Sequence, residues 1–170
     1  VLRSIKIILI LNNIRSTYNV GNIFRTADIF NVDCIYLCGY TPAPKHNNDL
    51  RLPHVANKLH NQISKVALGA EEFVKFEVFD NVSNAVNKAK EMGYDVACLE
   101  QNAKSIKLHQ FNPPKHLALV LGNELNGVDD WTLKVSDVIL EIEQYGQKES
   151  LNVANATAIA LYAIKTTNYE

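Results

Sequence analysis

The chain has 170 residues, 47% of them hydrophobic, which is enough for one domain with a full core and too apolar for a disordered chain. Its net charge of -1 excludes a protein that coats nucleic acid by bulk electrostatics. The longest apolar run, Ile5 to Leu11, is broken by Lys6 and too short to span a bilayer. With no signal segment ahead of it, a soluble cytoplasmic protein is expected, within the limit that the chain starts at Val1 rather than Met.

Ile5-Lys-Ile-Ile-Leu-Ile-Leu11 predicts a buried strand closed by the polar turn Asn12-Asn13. A helix follows from near Asn19, with Val20, Ile23, Phe24, Ala27 and Phe30 at three- and four-residue intervals and Arg25 off that stripe. Asp33 to Cys38 reads as a second strand, ended by Gly39. Cys34 and Cys38 share one of its faces. With Cys98 they make an odd count inside predicted strands, a pattern of reduced buried thiols rather than of disulfides or a zinc site. Thr41-Pro-Ala-Pro-Lys45, Asn47-Asn48-Asp49 and Pro53 predict a long, mostly irregular excursion from Tyr40 to about Gly69. Beyond it come a strand at Phe73 to Phe79, a helix at Val82 to Met92 closed by Gly93, and a strand at Tyr94 to Leu99. Strands at Leu117 to Leu121 and Val138 to Ile142 flank a short helix around Asp130 to Lys134, and a last helix runs from about Leu151 to Lys165. This alternation predicts an α/β fold in one domain over residues 1–170, with a mainly parallel sheet and helices on both faces.

Charge is uneven along the chain: residues 1–65 carry eight Lys and Arg against three Asp, residues 66–170 nine against fifteen acids. Arg3, Arg15, Arg25, Arg51, Lys58 and Lys65 therefore fit either a local basic surface or an ordinary solvated face. Three polar constellations fall where a strand hands over to a helix, the place where open α/β sheets bind ligands. In Asn19-Val-Gly-Asn-Ile-Phe-Arg-Thr-Ala27, Asn19 can cap the helix and Gly21 permits a close backbone approach. Arg25 suits a phosphate, or pairs with Asp28 at i+3. In Leu117-Ala-Leu-Val-Leu-Gly-Asn-Glu-Leu-Asn-Gly127 the glycines either present backbone groups to a ligand or close a left-handed turn, and only the first gives Glu124 a job. No triphosphate loop or dinucleotide glycine triad occurs. Ser150-Leu-Asn-Val-Ala-Asn-Ala-Thr-Ala-Ile-Ala-Leu-Tyr162 opens an apolar helix with three small polar residues. Ser150 fits an N-cap, and the spacing of Asn152 and Asn155 requires at least one to be buried with a partner. The five histidines follow no metal spacing, though His54 or His60 can touch a polyanion.

Together these segments resemble, in order, the three motifs of the SpoU (TrmH-like) RNA 2′-O-ribose methyltransferases of the SPOUT superfamily, the third running from Ile142 to Ser150-Leu-Asn-Val153. Thr41-Pro-Ala-Pro44 and Lys65-Val-Ala-Leu-Gly-Ala-Glu71 resemble one branch of that family. The resemblance implies a C-terminal trefoil knot holding S-adenosylmethionine, with backbone around Leu99, Gly122, Ile142 and Leu151 as the cofactor site. Arg25 would be the catalytic arginine, with Asn19, Glu124, Ser150 and Asn152 as its polar support. It further implies an RNA substrate, tRNA favoured over rRNA, no separate N-terminal RNA-binding domain, and a homodimer formed through the knotted region. In that dimer Leu151, Ala158, Leu161 and Tyr162 serve the contact or the core. Two departures stand out: Glu143 where the family usually has Pro, and Ala154 where it has Ser or a similar residue. Glu143 puts a charge beside the expected pocket and favours the alternative, a non-catalytic knotted module that binds RNA or cofactor.

Overall fold

The computed structural model describes residues 5–167; Arg3 of the expected basic surface lies outside them. The first strand, β1 (Lys6–Asn12), is buried on both faces: Ile7, Leu9 and Leu11 enter one core cluster and Ile8 and Ile10 the other. Its partners are β2 (Cys34–Cys38), β3 (Phe76–Phe79), β4 (Asp95–Leu99), β5 (Ile106–Lys107), β6 (His116–Leu121) and β7 (Val138–Glu141). These seven form one parallel sheet in the order β3-β2-β1-β6-β4-β7-β5, with β1 central between β2 and β6.

Helices cover both faces, as the alternation predicts. On the Leu9 face lie α1 (Thr17–Ile29), α2 (Pro53–Ala67), the short α3 (Ala70–Phe73) and α6 (Val153–Thr166). The Ile8 face carries α4 (Val82–Glu91) and α5 (Asp130–Val135), which meet Tyr36, Cys38, Cys98 and Val120. Cys34, Cys38 and Cys98 are free thiols. Burial pushes Cys38 up to about 12 and Cys98 up to about 11, so neither is a ready thiolate.

The stretch expected to be irregular contains the longest helix among the described residues, α2. Pro53, read as a break, sits in its first turn, where a missing N–H costs nothing. Its buried residues Ala56, Ile63 and Ala67 keep a helical spacing that the surrounding polar residues mask. Gly21 of α1 is the crossing point: a Cβ there would meet the Ile63 carbonyl oxygen at 2.7 Å and Val66 Cβ at 2.9 Å. The strand expected over Phe73 to Phe79 is instead a turn of helix followed by β3, because Leu68 and Gly69 both adopt positive φ (54° and 94°) and redirect the chain. Unexpected too are β5 and the 3-10 turn Leu108–Gln110, both too short to carry a periodicity.

Ahead of α2, residues 43–51 are folded around Arg51. Its guanidinium donates to Asp49, to the Ala43 carbonyl at 2.9 Å and to the Pro44 carbonyl at 3.0 Å. The Arg51 guanidinium holds the Asp49 carboxyl well below the usual carboxylate range. Arg51 is thus a clasp, not part of a free basic surface, whereas Arg15, Arg25, Lys58 and Lys65 are exposed. At the other end of the molecule Lys165 of α6 donates to the carbonyls of Ile5 (2.8 Å) and Asn31 (3.4 Å), tying the last helix to the start of β1. Burial lowers its pKa from the usual lysine value. Among the described residues no helix is long and apolar enough to cross a membrane.

Candidate active site

Parallel strands bring their carboxyl ends to one rim, and there the loops leaving β4, β6 and β7 enclose a cleft of about 630 Å³. Leu99, Gly122, Glu124, Ile142, Ser150, Leu151 and Asn152 all line it. Seven of the nine residues singled out in the sequence therefore meet in one place, Asn19 adjoins it through hydrogen bonds, and Arg25 does not line it.

The loop after β6 is closed by backbone contact. A Cβ on Gly122 would sit 2.3 Å from the Gly127 carbonyl carbon and 2.5 Å from Val128 N, so only glycine fits. Gly127 has φ +67°, and a Cβ there would meet Glu100 Oε2 at 2.2 Å. That carboxylate accepts the Val128 N–H at 2.9 Å and fastens the β4 and β6 loops together. Asn123 is the other keystone. Its backbone pairs with Gly127, its Oδ1 accepts Leu125 N and Asn126 N, and its Nδ2 donates to Asn13 O at 2.7 Å and Tyr40 Oη at 2.8 Å. Sequence reasoning missed Glu100 and Asn123. Asn123 lay inside a recognised motif, but its partners are distant in sequence.

A directional chain of amides joins the two helix N-termini to Glu124. Asn152, not Ser150, caps α6: its Oδ1 accepts Ala154 N at 2.9 Å and Asn155 N at 3.4 Å. With that oxygen committed, Nδ2 donates to Asn19 Oδ1 at 3.0 Å, and Asn19 Nδ2 must find an acceptor, which is Glu124 Oε1 at 3.0 Å. Asn19 is buried, and Ser16 takes the cap expected of it by accepting Asn19 N at 3.2 Å. Glu124 also accepts Arg15 N at 3.0 Å and Ser16 N at 3.3 Å. Burial alone would push this carboxyl up, but hydrogen bonds from Arg15 N, Asn19 Nδ2 and Ser16 N outweigh it and hold the pKa below the usual value. A lowered folded-state pKa contributes stability that is complete above the unfolded value and lost as pH falls through the folded one. Glu124→Gln is therefore expected to be less stable than wild type at neutral pH, with the gap closing in the acid range; a gap unchanged by acid in thermal melts would refute this.

Asn152 and Asn155 are both exposed, against the expectation that one is buried; the core positions of this turn go to Ala154 and Thr157. Ser150 is exposed and makes no hydrogen bond among the described residues. Arg25 is likewise exposed and unpaired among them, with no ion pair to Asp28. It lies on the outward stripe Tyr18, Asn22, Arg25, Ile29 of α1, opposite Val20, Phe24 and Ala27. Glu143 does not line the cleft. Its carboxylate lies 3.2 Å from His109 Nδ1 and accepts Tyr145 Oη at 3.2 Å, so the charge expected beside the pocket is directed toward other partners. His60, a possible polyanion contact by sequence, accepts Lys45 N at 3.3 Å and lies near Glu71 and Glu72.

The profile described as the SpoU rRNA Methylase family matches residues 6–162. The chain belongs to this family. Among SpoU relatives, it is 30% identical over 158 residues to an uncharacterized tRNA/rRNA methyltransferase of Borreliella burgdorferi, covering 93% of this chain and 63% of that protein. It is also 30% identical to a 23S rRNA (guanosine-2′-O-)-methyltransferase of Neisseria meningitidis, covering 91% of this chain and 56% of the relative. The crystal structure of an AdoMet-bound rRNA methyltransferase from Sinorhizobium meliloti superposes with a TM-score of 0.80 at 23% identity, over 94% of this chain and 56% of that one. The SpoU chain described here thus spans about three fifths of the length of these relatives.

The cleft of this SpoU chain has a telling charge. Glu100, Glu124, Glu141 and Glu149 line it, and no Lys, Arg or His does. Lys107 pairs with Glu141 and Lys148 with Glu149, which leaves Glu100 and Glu124 as carboxylates without a cationic partner among the described residues. Such a lining suits a ligand bearing positive charge, such as a sulfonium or ammonium group, better than a phosphate. The tight Gly122-Gly127 loop on one side and an apolar wall of Leu99, Leu121, Ile142 and Leu151 are compatible with the polar and apolar parts of S-adenosylmethionine.

Proposed function

We propose that this protein transfers a methyl group from S-adenosylmethionine to a ribose 2′-hydroxyl of structured RNA, with tRNA favoured over rRNA. The observation that carries this reading is the cation-free cleft built from the second and third sequence motifs, in a chain of the SpoU family. Bound S-adenosylmethionine supplies a methyl group already activated on sulfonium, so the protein's work is chiefly to position and to manage charge. Backbone at Leu99, Gly122, Ile142 and Leu151 holds the cofactor, and the glutamates offset its positive charge. Glu124, kept ionised by Asn19, Arg15 N and Ser16 N, with Asn152 and Ser150 on the same rim, fixes the polar wall that the ribose meets. Arg25 orients an RNA phosphate through its fork of donors and stabilises the 2′-oxygen as its proton passes to solvent and the methyl group moves to it, with the neutral thioether S-adenosylhomocysteine as leaving group.

Arg25 reaches the cleft most simply from a second subunit. On α1 it is flanked by the exposed Tyr18 and Ile29, and neighbouring α6 exposes Ile159 and Tyr162. Ile29 is 70% exposed and Tyr162 62%, an apolar strip suited to a homodimer that places Arg25 at the interface. Leu161, by contrast, is core. A trefoil knot of the C-terminal segment, one domain for the present chain and a cytoplasmic setting belong to the same reading. Gln101 Nε2 donating to Glu149 O across the β4 and β7 loops fits the first, and unlinked cysteines fit the last.

The test is transfer of labelled methyl from S-adenosylmethionine to bulk tRNA and, separately, rRNA, followed by digestion to nucleosides. A 2′-O-methylated nucleoside is expected. In Arg25→Ala its rate of formation should fall about 100- to 1000-fold, while cofactor affinity is unchanged because Arg25 acts on the RNA phosphate and not on the cofactor. Arg25→Lys should not restore wild-type turnover. Cofactor binding without transfer to either RNA would favour the non-catalytic module instead, although Glu143, the residue that suggested it, lies outside the cleft lining.

A further inference from the structure

A second cleft of about 350 Å³ opens on the same rim, beside the ends of β1 and β2 and the start of α4, and shares Asn123, Asn126 and Gly127 with the first. We propose that it holds one unstacked nucleobase of the RNA, with Tyr40 as the stacking platform; the proposal rests on the RNA reading above and names how that substrate is gripped.

Tyr40 is held at both ends yet left in the open. Its N–H donates to Asn13 Oδ1 at 3.1 Å, its hydroxyl accepts Asn123 Nδ2 at 2.8 Å, and it remains 60% exposed. The anchoring is deliberate in its geometry: Asn13 and Gly39 both adopt positive φ (55° and 63°), and a Cβ on Gly39 would collide with Asn13 Oδ1 at 2.0 Å. An aromatic ring fixed in position without being buried gains little for folding, but its immobilisation cost is already met when a flat partner arrives. The polar lining suits the edge of such a partner. Asn13 commits its Oδ1 to Tyr40 N and Asn81 its Oδ1 to Asn84 N and the Ser83 hydroxyl, and both leave their Nδ2 donors unpaired among the described residues. The Asp80 carboxylate is also unpaired among them and offers an acceptor. No Lys or Arg lines this cleft, so it is built for a base and not for a phosphate. Stacking on an aromatic ring with hydrogen bonds to the base edge is the way proteins grip unpaired RNA bases. Since the shared wall is the Asn123-Gly127 loop, a base held here fixes which nucleotide presents its ribose to the first cleft.

The experiment compares wild type, Tyr40→Ala and Tyr40→Phe for equilibrium binding of unfractionated tRNA and of rRNA by anisotropy at low salt, and for S-adenosylmethionine binding by calorimetry. Tyr40→Ala is expected to weaken RNA binding by about 10-fold or more, the equivalent of one base stack. Tyr40→Phe should stay within about twofold of wild type, since the ring carries the effect, and both variants should keep cofactor affinity. RNA binding unchanged in Tyr40→Ala, or lost equally in Tyr40→Phe, overturns the stacking site. If wild type binds cofactor but neither RNA, the base site falls while the cofactor site stands. RNA binding that depends on Tyr40 in a protein blind to S-adenosylmethionine would leave the base site standing and overturn the methyl-transfer reading.

Discussion

Gly122→Ala is expected to cost the protein the cofactor site proposed for the β6 loop. The added methyl would stand 2.3 Å from the Gly127 carbonyl carbon and 2.6 Å from its oxygen, both backbone atoms that no rotamer change can move. Residues 123–127 would have to open, breaking the paired Asn123 and Gly127 backbone bonds and pulling Val128 from Glu100. The expected cost is about 3 kcal/mol of stability, and S-adenosylmethionine binding weakened at least about 100-fold, the affinity equivalent of the same strain. Gly146 is the control: its Cβ would meet nothing within 4 Å, so Gly146→Ala should leave melting temperature and cofactor binding close to wild type. Calorimetric titration of both variants decides the matter; equal binding would show that the loop closes differently.

The second large effect is Asn19→Asp, a change of one atom that reverses the direction of the amide chain. Asn152 Nδ2 could still donate to the new carboxylate, but the group facing Glu124 Oε1 would now be an acceptor at a separation of about 3 Å. Two carboxylates in a half-buried contact cannot both stay ionised without cost, so the variant should lose about 2 to 4 kcal/mol at neutral pH, seen as a melting temperature lower by roughly 5 to 10 °C. As pH falls, one proton shared by the pair recreates a donor where the Asn19 amide stood. The gap to wild type should narrow on acidification, in thermal melts across the acid range. A gap that widens instead would mean that the Asn19-Glu124 bond is not what is lost. Asn19→Leu separates charge from packing: it lacks the repulsion but also the shared proton, so acid should not rescue it through this contact.

The alternation of strand and helix was legible because β-branched runs such as Ile5 to Leu11 and the three- and four-residue spacing of Val20, Phe24 and Ala27 are local patterns. α2 escaped because its buried set is only Ala56, Ile63 and Ala67, small or widely spaced among His, Asn, Lys and Gln, and because Pro53 marks helix starts as well as breaks. The same limit governed the site. Gly122 and Gly127 announced a tight loop, but the partners that explain it, Glu100 and Tyr40, are separated from it by more than twenty residues and meet it only through the order of the sheet. Ser150 was the residue expected to cap the last helix; the cap falls instead to Asn152, whose amide caps α6 with one atom and reaches Asn19 with the other.

The Lys165 contact to Ile5 and Asn31 has a practical meaning. It holds the start of β1 and the end of α6 together at the rim opposite both clefts, which open where the parallel strands finish. Ile5 and Thr166, near the two limits of the described residues, thus lie away from both clefts. The Lys165 contacts can therefore be cut by substitution without touching a residue that lines either cleft.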